Sequence, residues 1–472
     1  MRPDQRTSAK TGTVLNPPTA GHGLAPHRRF VELVRPDLGR LGLYADEPEV
    51  CRRDWRQFAP IFVQLGLMLA VFCRYHIEGP GFQLIVALTL ASLPLHYMLP
   101  YRWKKPAFVA ISLVTLVAVL GVDLGVAVIA IAATLIGICV MPVSWGLRAG
   151  LITAIGLGCG LARVSVVTTW LPDGTWTMVG TMFMFRIILY LYEIKHARGP
   201  ETLTDTLSYF FLLPNYCFVH FPVVDYRTMQ RGYFSNDVHA TMDTGLQMMM
   251  KGTAHLLVYR LIYHEMLVTP DEVQGAIGLA GYLVCNYLLY LQVSGQFHMA
   301  CGMLHLFGFT LPETHHNYLL ATSFTDYWRR INIYWKDFMV RLVFNPVAFR
   351  LKRKPVWLGL TVATFAVFVA TWALHAYQKF WLRGRWGITV PDALFWGILG
   401  VLVMINVQLD ARRKPISRNH QPTLGDFGLR AIKTLATFTT IVVLWSLWSS
   451  PSVAAWVKLM SKAFVLEPLR FG

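Results

Sequence analysis

Long apolar segments separated by short polar loops run through most of this 472-residue chain. A helix needs about 20 apolar residues to cross the hydrocarbon core of a bilayer. Eleven segments approach that length, and the pattern predicts an all-α, polytopic transmembrane helical bundle. The predicted spans lie near 57–76, 82–99, 106–122, 124–143, 149–169, 176–193, 248–266, 272–293, 357–378, 388–408 and 430–449.

Three segments depart from the pattern of plain spans. The stretch 202–231 has a short apolar core with two prolines, which favours a re-entrant or interfacial element. The stretch 309–332 is polar and rich in His, Thr and Asn. Apolar and basic residues alternate at helical spacing over 332–354, which is typical of a helix at the cytoplasmic interface.

The domain organisation follows from the same pattern. Because the chain has no long Pro/Ser/Gly linker and no internal repeat, we expect a single transmembrane domain over 51–450. Residues 1–50 are basic and Pro-rich and lack the apolar core of a signal peptide, so a partly disordered cytoplasmic arm is expected there. Residues 451–472 are expected to form a C-terminal tail.

Composition supports a membrane protein. Apolar residues make up 54% of the chain and charged residues 15%, whereas soluble proteins carry about a quarter charged residues. The net charge of +17 lies in short loops, such as Arg52–Arg56 and Arg102–Lys105, rather than on one solvated face. This distribution favours membrane lipids over nucleic acid as surroundings. By the positive-inside rule the N-terminus faces the cytoplasm, which we expect to be that of a bacterium, with the protein in the inner membrane.

The histidines and cysteines give little sign of a metal site. His298 and His305 are seven residues apart and share a helix face, but no third ligand follows at helical spacing. The seven cysteines form no C-x-x-C pair. His315 and His316 lie in the polar loop, where we expect them to be solvated. We therefore predict no metal.

A polar signature interrupts the apolar pattern between residues 294 and 346. It contains Ser294-Gly295, Leu306-Phe307-Gly308-Phe309, Pro312-Glu313 and Trp328-Arg329-Arg330, followed by Asn332 and, 43 residues later, His375. Ionisable and strongly polar residues are costly in a bilayer and usually serve a function there.

This signature resembles that of the membrane-bound O-acyltransferase (MBOAT) family. The similarity extends over about residues 205–400 and is greatest to the bacterial branch with alginate O-acetyltransferase and teichoic acid D-alanyl transferase. Outside the central block, Tyr209–Pro214, Trp372 with His375, and Phe395-Trp396-Gly397 also resemble that branch. Asn332 departs from the branch, which has His there, and matches the lipid-acylating branches. His298 replaces an acidic residue of the family.

The resemblance implies roles for five residues. His375 would be the general base, since an imidazole titrates near the working pH. Asn332 cannot take up a proton, but its amide can donate to a carbonyl oxygen or orient the acceptor. Arg329 and Arg330 would bind the phosphates of the donor. Trp328 would be a further donor-binding residue, at the place where the thioester enters. The alternative for the two arginines is a cytoplasmic positive-inside anchor.

The expected fold is therefore a bundle with re-entrant and interfacial helices around a polar tunnel. The expected function is transfer of a short acyl group such as acetyl from acyl-CoA or an acyl-carrier thioester to a saccharide, with no permanently bound cofactor. Acylation of a lipid or small hydrophobic alcohol is the alternative that Asn332 favours. A non-catalytic scaffold and a transporter are further alternatives, although the sequence shows no repeated halves typical of transporters.

Overall fold

The N-terminal half of the protein is a series of apolar helices that follow the predicted spans. A computed structural model of the protein describes residues 47–196, 202–216, 223–412 and 423–464. The predicted arm over 1–50 lies almost wholly outside them. The first helices are α1 (Trp55–Tyr75), α2 (Pro80–Met98), α3 (Tyr101–Leu120), α4 (Val122–Val140), α5 (Trp145–Arg163) and α6 (Gly174–His196).

Short elements fill the middle of the chain. The predicted re-entrant segment forms α7 (Leu203–Phe210), a 3-10 turn (Leu213–Tyr216) and α8 (Tyr226–Arg231). Two longer helices follow, α9 (Val238–Leu261) and α10 (Gly275–Leu288), and α11 (Leu291–Leu306) continues from α10 after a break. The polar segment then forms α12 (Phe324–Ile331), and the predicted interfacial segment forms α13 (Ile333–Met339), a π-helical turn and α14 (Asn345–Arg350).

Three long helices and a short one complete the described residues. They are α15 (Val356–Arg383), α16 (Val390–Arg412), α17 (Leu424–Ser449) and α18 (Val453–Ser461). Gly384 ends α15 in the left-handed conformation, which glycine adopts without steric cost. The segment predicted as a tail thus contains a helix, and Lys462 behind it donates to the carbonyl oxygens of Pro270 and Asp271 at 2.8 Å.

The prediction of an all-α, polytopic bundle is confirmed. The described residues contain no β-strand beyond an isolated bridge between Tyr233 and Phe309. Nine helical segments of the described chain are long and apolar enough to cross a membrane, with α10 and α11 counted together, and the bent α6 would be a tenth.

One predicted span is wrong. The segment 248–266 belongs to α9 and a π-helical turn after it, and α9 is not among the helices apolar enough to cross a membrane. Asp243, Lys251 and Arg260 interrupt its apolar surface. Helix α9 is instead packed against α11 by facing glycines.

That packing depends on the absence of side chains. A Cβ atom added to Gly252 would lie 2.7 Å from the carbonyl oxygen of Gly295, and one added to Gly245 would lie 2.7 Å from that of Gly302. Small residues allow two helix backbones to approach this closely. The approach places the polar side chains of α9 beside those of α11.

Candidate functional site

A cavity of about 390 Å³ lies where α11, α13, α15 and α17 meet, and six of its fourteen lining residues are Phe, Tyr or Trp. We call it the aromatic cavity. Both predicted catalytic residues, Asn332 and His375, line it. Its lining residues are Phe185, Val223, Asn286, Leu289, Tyr290, Val293, Phe297, Asn332, Trp335, His375, Gln378, Trp445, Trp448 and Ser449.

The backbone of α15 selects the tautomer of His375. Its Nδ1 lies 2.8 Å from the carbonyl oxygen of Thr371, one helical turn earlier. A carbonyl oxygen can only accept, so Nδ1 carries the proton and donates it. Nε2 is then the nitrogen with the lone pair, which is the form that a general base requires.

Asn332 stands at the junction of α12 and α13. Its Oδ1 accepts the backbone N–H of Trp335 at 3.1 Å and so caps the first turn of α13. Asparagine is among the preferred residues at this position because its side chain satisfies an otherwise unpaired N–H. The Nδ2 group is then the part of the carboxamide that can donate to a ligand.

Trp335 connects the two predicted catalytic residues. Its ring meets the imidazole of His375 edge-to-face, with centroids 5.0 Å apart, and its Nε1 lies 3.4 Å from Oγ1 of Thr371. Trp396 contacts the imidazole with a centroid separation of 4.7 Å. The imidazole is thus held between two indole rings, which limits its rotation.

Asp392 organises the next layer of side chains. This carboxylate is buried, and Oδ2 accepts from Nε1 of Trp372 at 2.7 Å. Its Oδ1 accepts from Nε1 of Trp448 at 2.6 Å and from Nζ of Lys379 at 2.7 Å. Since Trp448 lines the aromatic cavity, Asp392 positions part of the cavity wall.

The three predicted donor-binding residues lie elsewhere. None of them lines the aromatic cavity among the residues described. Trp328 packs on Phe368 with ring centroids 4.8 Å apart, Arg329 is exposed, and Arg330 forms an ion pair with Asp326 at 2.6 Å. Their donor-binding role stays a prediction, and the pairing of Arg330 favours a structural role for that residue.

A neighbouring cavity of about 320 Å³ shares Val223 with the aromatic cavity. Its charged lining residues are Asp225, Asp337 and Arg341. Arg341 lies 2.5 Å from Oε1 of Glu193 and 3.4 Å from Oδ1 of Asp225. The guanidinium is thus already paired with carboxylates, so this cavity is poorly suited to bind phosphate.

One histidine of the polar loop was predicted wrongly. His315 is buried rather than solvated, and its Nε2 lies 2.9 Å from the hydroxyl of Tyr290. His316 is exposed, as predicted. Among the residues that the structure describes, no group of three or more His, Cys, Asp or Glu side chains is placed to hold a metal ion.

Sequence reasoning missed several residues of the cavity wall, including Tyr290, Trp335, Gln378 and Trp448. Trp335 could have been predicted from the sequence. It follows Asn332 by three residues, and residues three apart lie on the same face of a helix. Nothing in the sequence indicated that Trp448 lines the cavity, because its position depends on how α17 packs.

Comparison of the chain with protein-family models and with curated proteins found no match. The function is therefore argued from the residues and their geometry.

Proposed function

We propose that this protein is a membrane-embedded O-acyltransferase. The observation that carries the proposal is that Asn332 and His375, 43 residues apart in the sequence, line one cavity. The family resemblance of residues 294–346 supplies the reaction type. An imidazole with a lone pair on Nε2 and a carboxamide with N–H donors are the two groups that acyl transfer to a hydroxyl requires.

The proposed reaction is a direct transfer. The hydroxyl oxygen of the acceptor attacks the carbonyl carbon of the thioester while Nε2 of His375 takes the hydroxyl proton. Asn332 donates to the oxyanion of the tetrahedral intermediate. The carbon–sulfur bond then breaks, and the thiolate takes the proton from the imidazolium. An ester and a free thiol are the products, so atoms and charge balance.

The proposed donor is acyl-CoA or an acyl-carrier thioester from the cytoplasm, with the N-terminus on that side of a bacterial inner membrane. The proposed acceptor is a saccharide or other cell-surface hydroxyl. The lining supports this choice, because indole faces suit the C–H face of a sugar ring and the side chains of Asn286, Gln378 and Ser449 suit its hydroxyls. A lipid or small hydrophobic alcohol is the second candidate, and Asn332 favours it.

The test compares His375→Ala with His316→Ala, a matched control at an exposed histidine. Membranes that contain each variant are supplied with acetyl-CoA, release of the thiol is followed, and acylated glycans and lipids are identified by mass spectrometry. We expect His375→Ala to lose roughly 10²- to 10⁴-fold in rate, the typical contribution of a general base. The control should keep the wild-type rate.

Abundance in the membrane separates the alternatives. If His375→Ala is as abundant as wild type and cells keep the wild-type glycans and lipids, the protein is a scaffold or transporter and the proposal fails. The products also decide between acceptors, because acylated saccharides and acylated lipids differ in mass and in solubility.

A further inference from the structure

A second polar cavity lies on the opposite face of α11 from the aromatic cavity. It has a volume of about 230 Å³, and we call it the histidine cavity. Leu291 and His298 line it from one face of α11, whereas Val293 and Phe297 line the aromatic cavity from the other. Its lining residues are Lys251, His255, Leu291, His298, His315, Asn317, Tyr318, Leu319 and Leu320.

His298 brings an unsatisfied polar atom to this cavity. Its side chain is 1% exposed, and Nε2 has no hydrogen-bond partner among the residues that the structure describes. A buried polar atom without a partner destabilises the folded protein. A ligand that satisfied this nitrogen would therefore be bound more tightly for it.

The hydrogen bonds around His298 indicate which ligand atom it needs. In the arrangement that satisfies both contacts of Tyr290, its hydroxyl donates to the carbonyl of Ile331 at 3.4 Å and accepts from Nε2–H of His315 at 2.9 Å. Nδ1 of His315 then accepts from the Thr314 hydroxyl at 3.1 Å. That hydroxyl oxygen accepts in turn from Nδ1–H of His298 at 3.5 Å. Nε2 of His298 is left with a lone pair and calls for a donor.

His255 presents the same kind of atom. Ser294 donates its hydroxyl to the carbonyl of Leu291 at 3.3 Å, and it lies 2.9 Å from Nδ1 of His255. In the arrangement that satisfies both contacts of Ser294, Nδ1 of His255 carries the proton and Nε2 the lone pair. Two imidazole acceptors thus line one cavity.

The charges around the cavity limit the class of ligand. An anion would meet the lone pairs of two imidazoles, and Lys251, the cation at the wall, already pairs with Glu313 at 2.7 Å. No carboxylate is among the lining residues to balance the charge of a cationic ligand. His315 stays neutral, because burial, followed by the charges of His298, His255 and Lys251, holds its pKa well below the usual range. A neutral group with hydroxyl donors fits these limits.

We propose that the histidine cavity binds a neutral, polyhydroxylated ligand, and that one ligand hydroxyl donates to Nε2 of His298. The exposed residues Asn317 and Leu320 form the mouth of the cavity. Leu291 and Leu319 offer apolar contact to the carbon skeleton of such a ligand. Binding in the histidine cavity is independent of the proposed acyl transfer in the aromatic cavity, since the two cavities share no lining residue.

The test uses the full chain in phosphatidylcholine nanodiscs and methyl β-D-glucoside as the probe. Saturation-transfer NMR should detect binding to wild type, and His298→Phe should weaken the signal at least threefold. His298→Gln, which keeps an acceptor, should retain most of it. His264→Phe, the same substitution at an exposed histidine that lines neither cavity, is the matched control and should leave the signal unchanged.

A second experiment distinguishes a free sugar from a glycolipid headgroup as the ligand. Nanodiscs that contain a monoglucosyl diacylglycerol are analysed by native mass spectrometry for glycolipid retained by wild type and by His298→Phe. Dependence on His298 in this arm alone assigns the site to a lipid headgroup, and dependence in the first arm assigns it to a free sugar. If neither signal depends on His298, the proposal is overturned.

A third measurement keeps the proposal testable if His298→Phe fails to fold. In wild-type protein labelled with ¹⁵N-histidine, the probe should shift the resonance of one unprotonated Nε2, and that resonance should be missing from His298→Gln. Saturating probe with no shifted histidine resonance would also overturn the proposal.

Discussion

At the level of residues, one buried carboxylate holds part of the wall of the aromatic cavity in place. Asp392 holds Trp372, Trp448 and Lys379 at once, so its removal would leave three donors to find other partners. We predict that Asp392→Asn lowers the free energy of unfolding by about 3 kcal/mol, the typical cost of breaking a buried ion pair. Asp337→Asn is the matched control, because the ion pair of Asp337 with Lys336 is exposed and should cost less than about 1 kcal/mol.

Equilibrium unfolding in mild detergent measures both variants. A loss at position 392 no larger than that at position 337 would show that the carboxylate is dispensable. The rate of thiol release by Asp392→Asn, measured as in the test of the proposed function and normalised to the folded fraction, then shows whether loss of the contact with Trp448 affects that rate.

The ion pair between Lys251 and Glu313 should make stability depend on pH. Burial raises the pKa of Glu313, but hydrogen bonds from Lys251 and His316, with their charges, outweigh it and hold the pKa below its ordinary value of 4.5. The stabilisation is therefore present above pH 4.5 and lost as pH falls through the folded pKa.

We predict that wild type has a higher melting temperature than Glu313→Gln near neutral pH and that the gap narrows below pH 4.5. Thermal unfolding at several pH values measures it. In a Lys251→Met background the gap should be smaller, because one of the two hydrogen-bonded partners is gone. If the two melting temperatures differ by the same amount at every pH, the lowered pKa of Glu313 does not contribute to stability and the prediction is wrong.

The sequence predicted Asn332 and His375 as candidate site residues. It missed the residues that helix packing brings close to them. Asn332 and His375 stand out because polar residues are costly in apolar surroundings. Trp448 and Asp392 do not, since any apolar helix can carry a tryptophan and any helix start an aspartate. His315 was misjudged because a polar loop was taken to be exposed, whereas this loop is buried beside Tyr290.

At the level of elements, the contact between α9 and α11 tests how the histidine cavity is built. We predict that Gly252→Val lowers the free energy of unfolding by about 1–3 kcal/mol, the usual cost of overpacking. The first added carbon would already lie 2.7 Å from the carbonyl oxygen of Gly295, so one of the two backbones must move.

The control for this prediction is Gly278→Ala on α10, where an added Cβ meets no atom within 4 Å. It should leave stability unchanged or raise it, since alanine favours helix more than glycine does. Unfolding in detergent compares the two variants. Equal stability of Gly252→Val and wild type would show that the two helices are not held this closely.

The elements that periodicity predicted well are those whose residues face lipid. Helices α1 to α5 follow the predicted spans because an unbroken apolar run has only one stable form in a bilayer. Helix α9 was taken for a span because its apolar residues reach the needed number. Its polar residues Lys251 and His255 line the histidine cavity beside α11, and Arg260 donates to the carbonyl of His76. Sequence hydropathy does not separate that environment from lipid.

At the level of the whole molecule, the arrangement of charged loops predicts the orientation of the bundle. Alternate connections of the first six helices are basic, and the positive-inside rule places these in the cytoplasm. The N-terminus and residue 144, between α4 and α5, should then face the cytoplasm. Residue 79, between α1 and α2, and residue 173, before α6, should face the other side.

Reporter fusions test this orientation in bacterial cells. Alkaline phosphatase is active only outside the cytoplasm, so fusions after Gly79 and Asp173 should be active and a fusion after Ser144 inactive. Green fluorescent protein should give the reverse. The opposite pattern of activities would contradict the predicted orientation of the first helices.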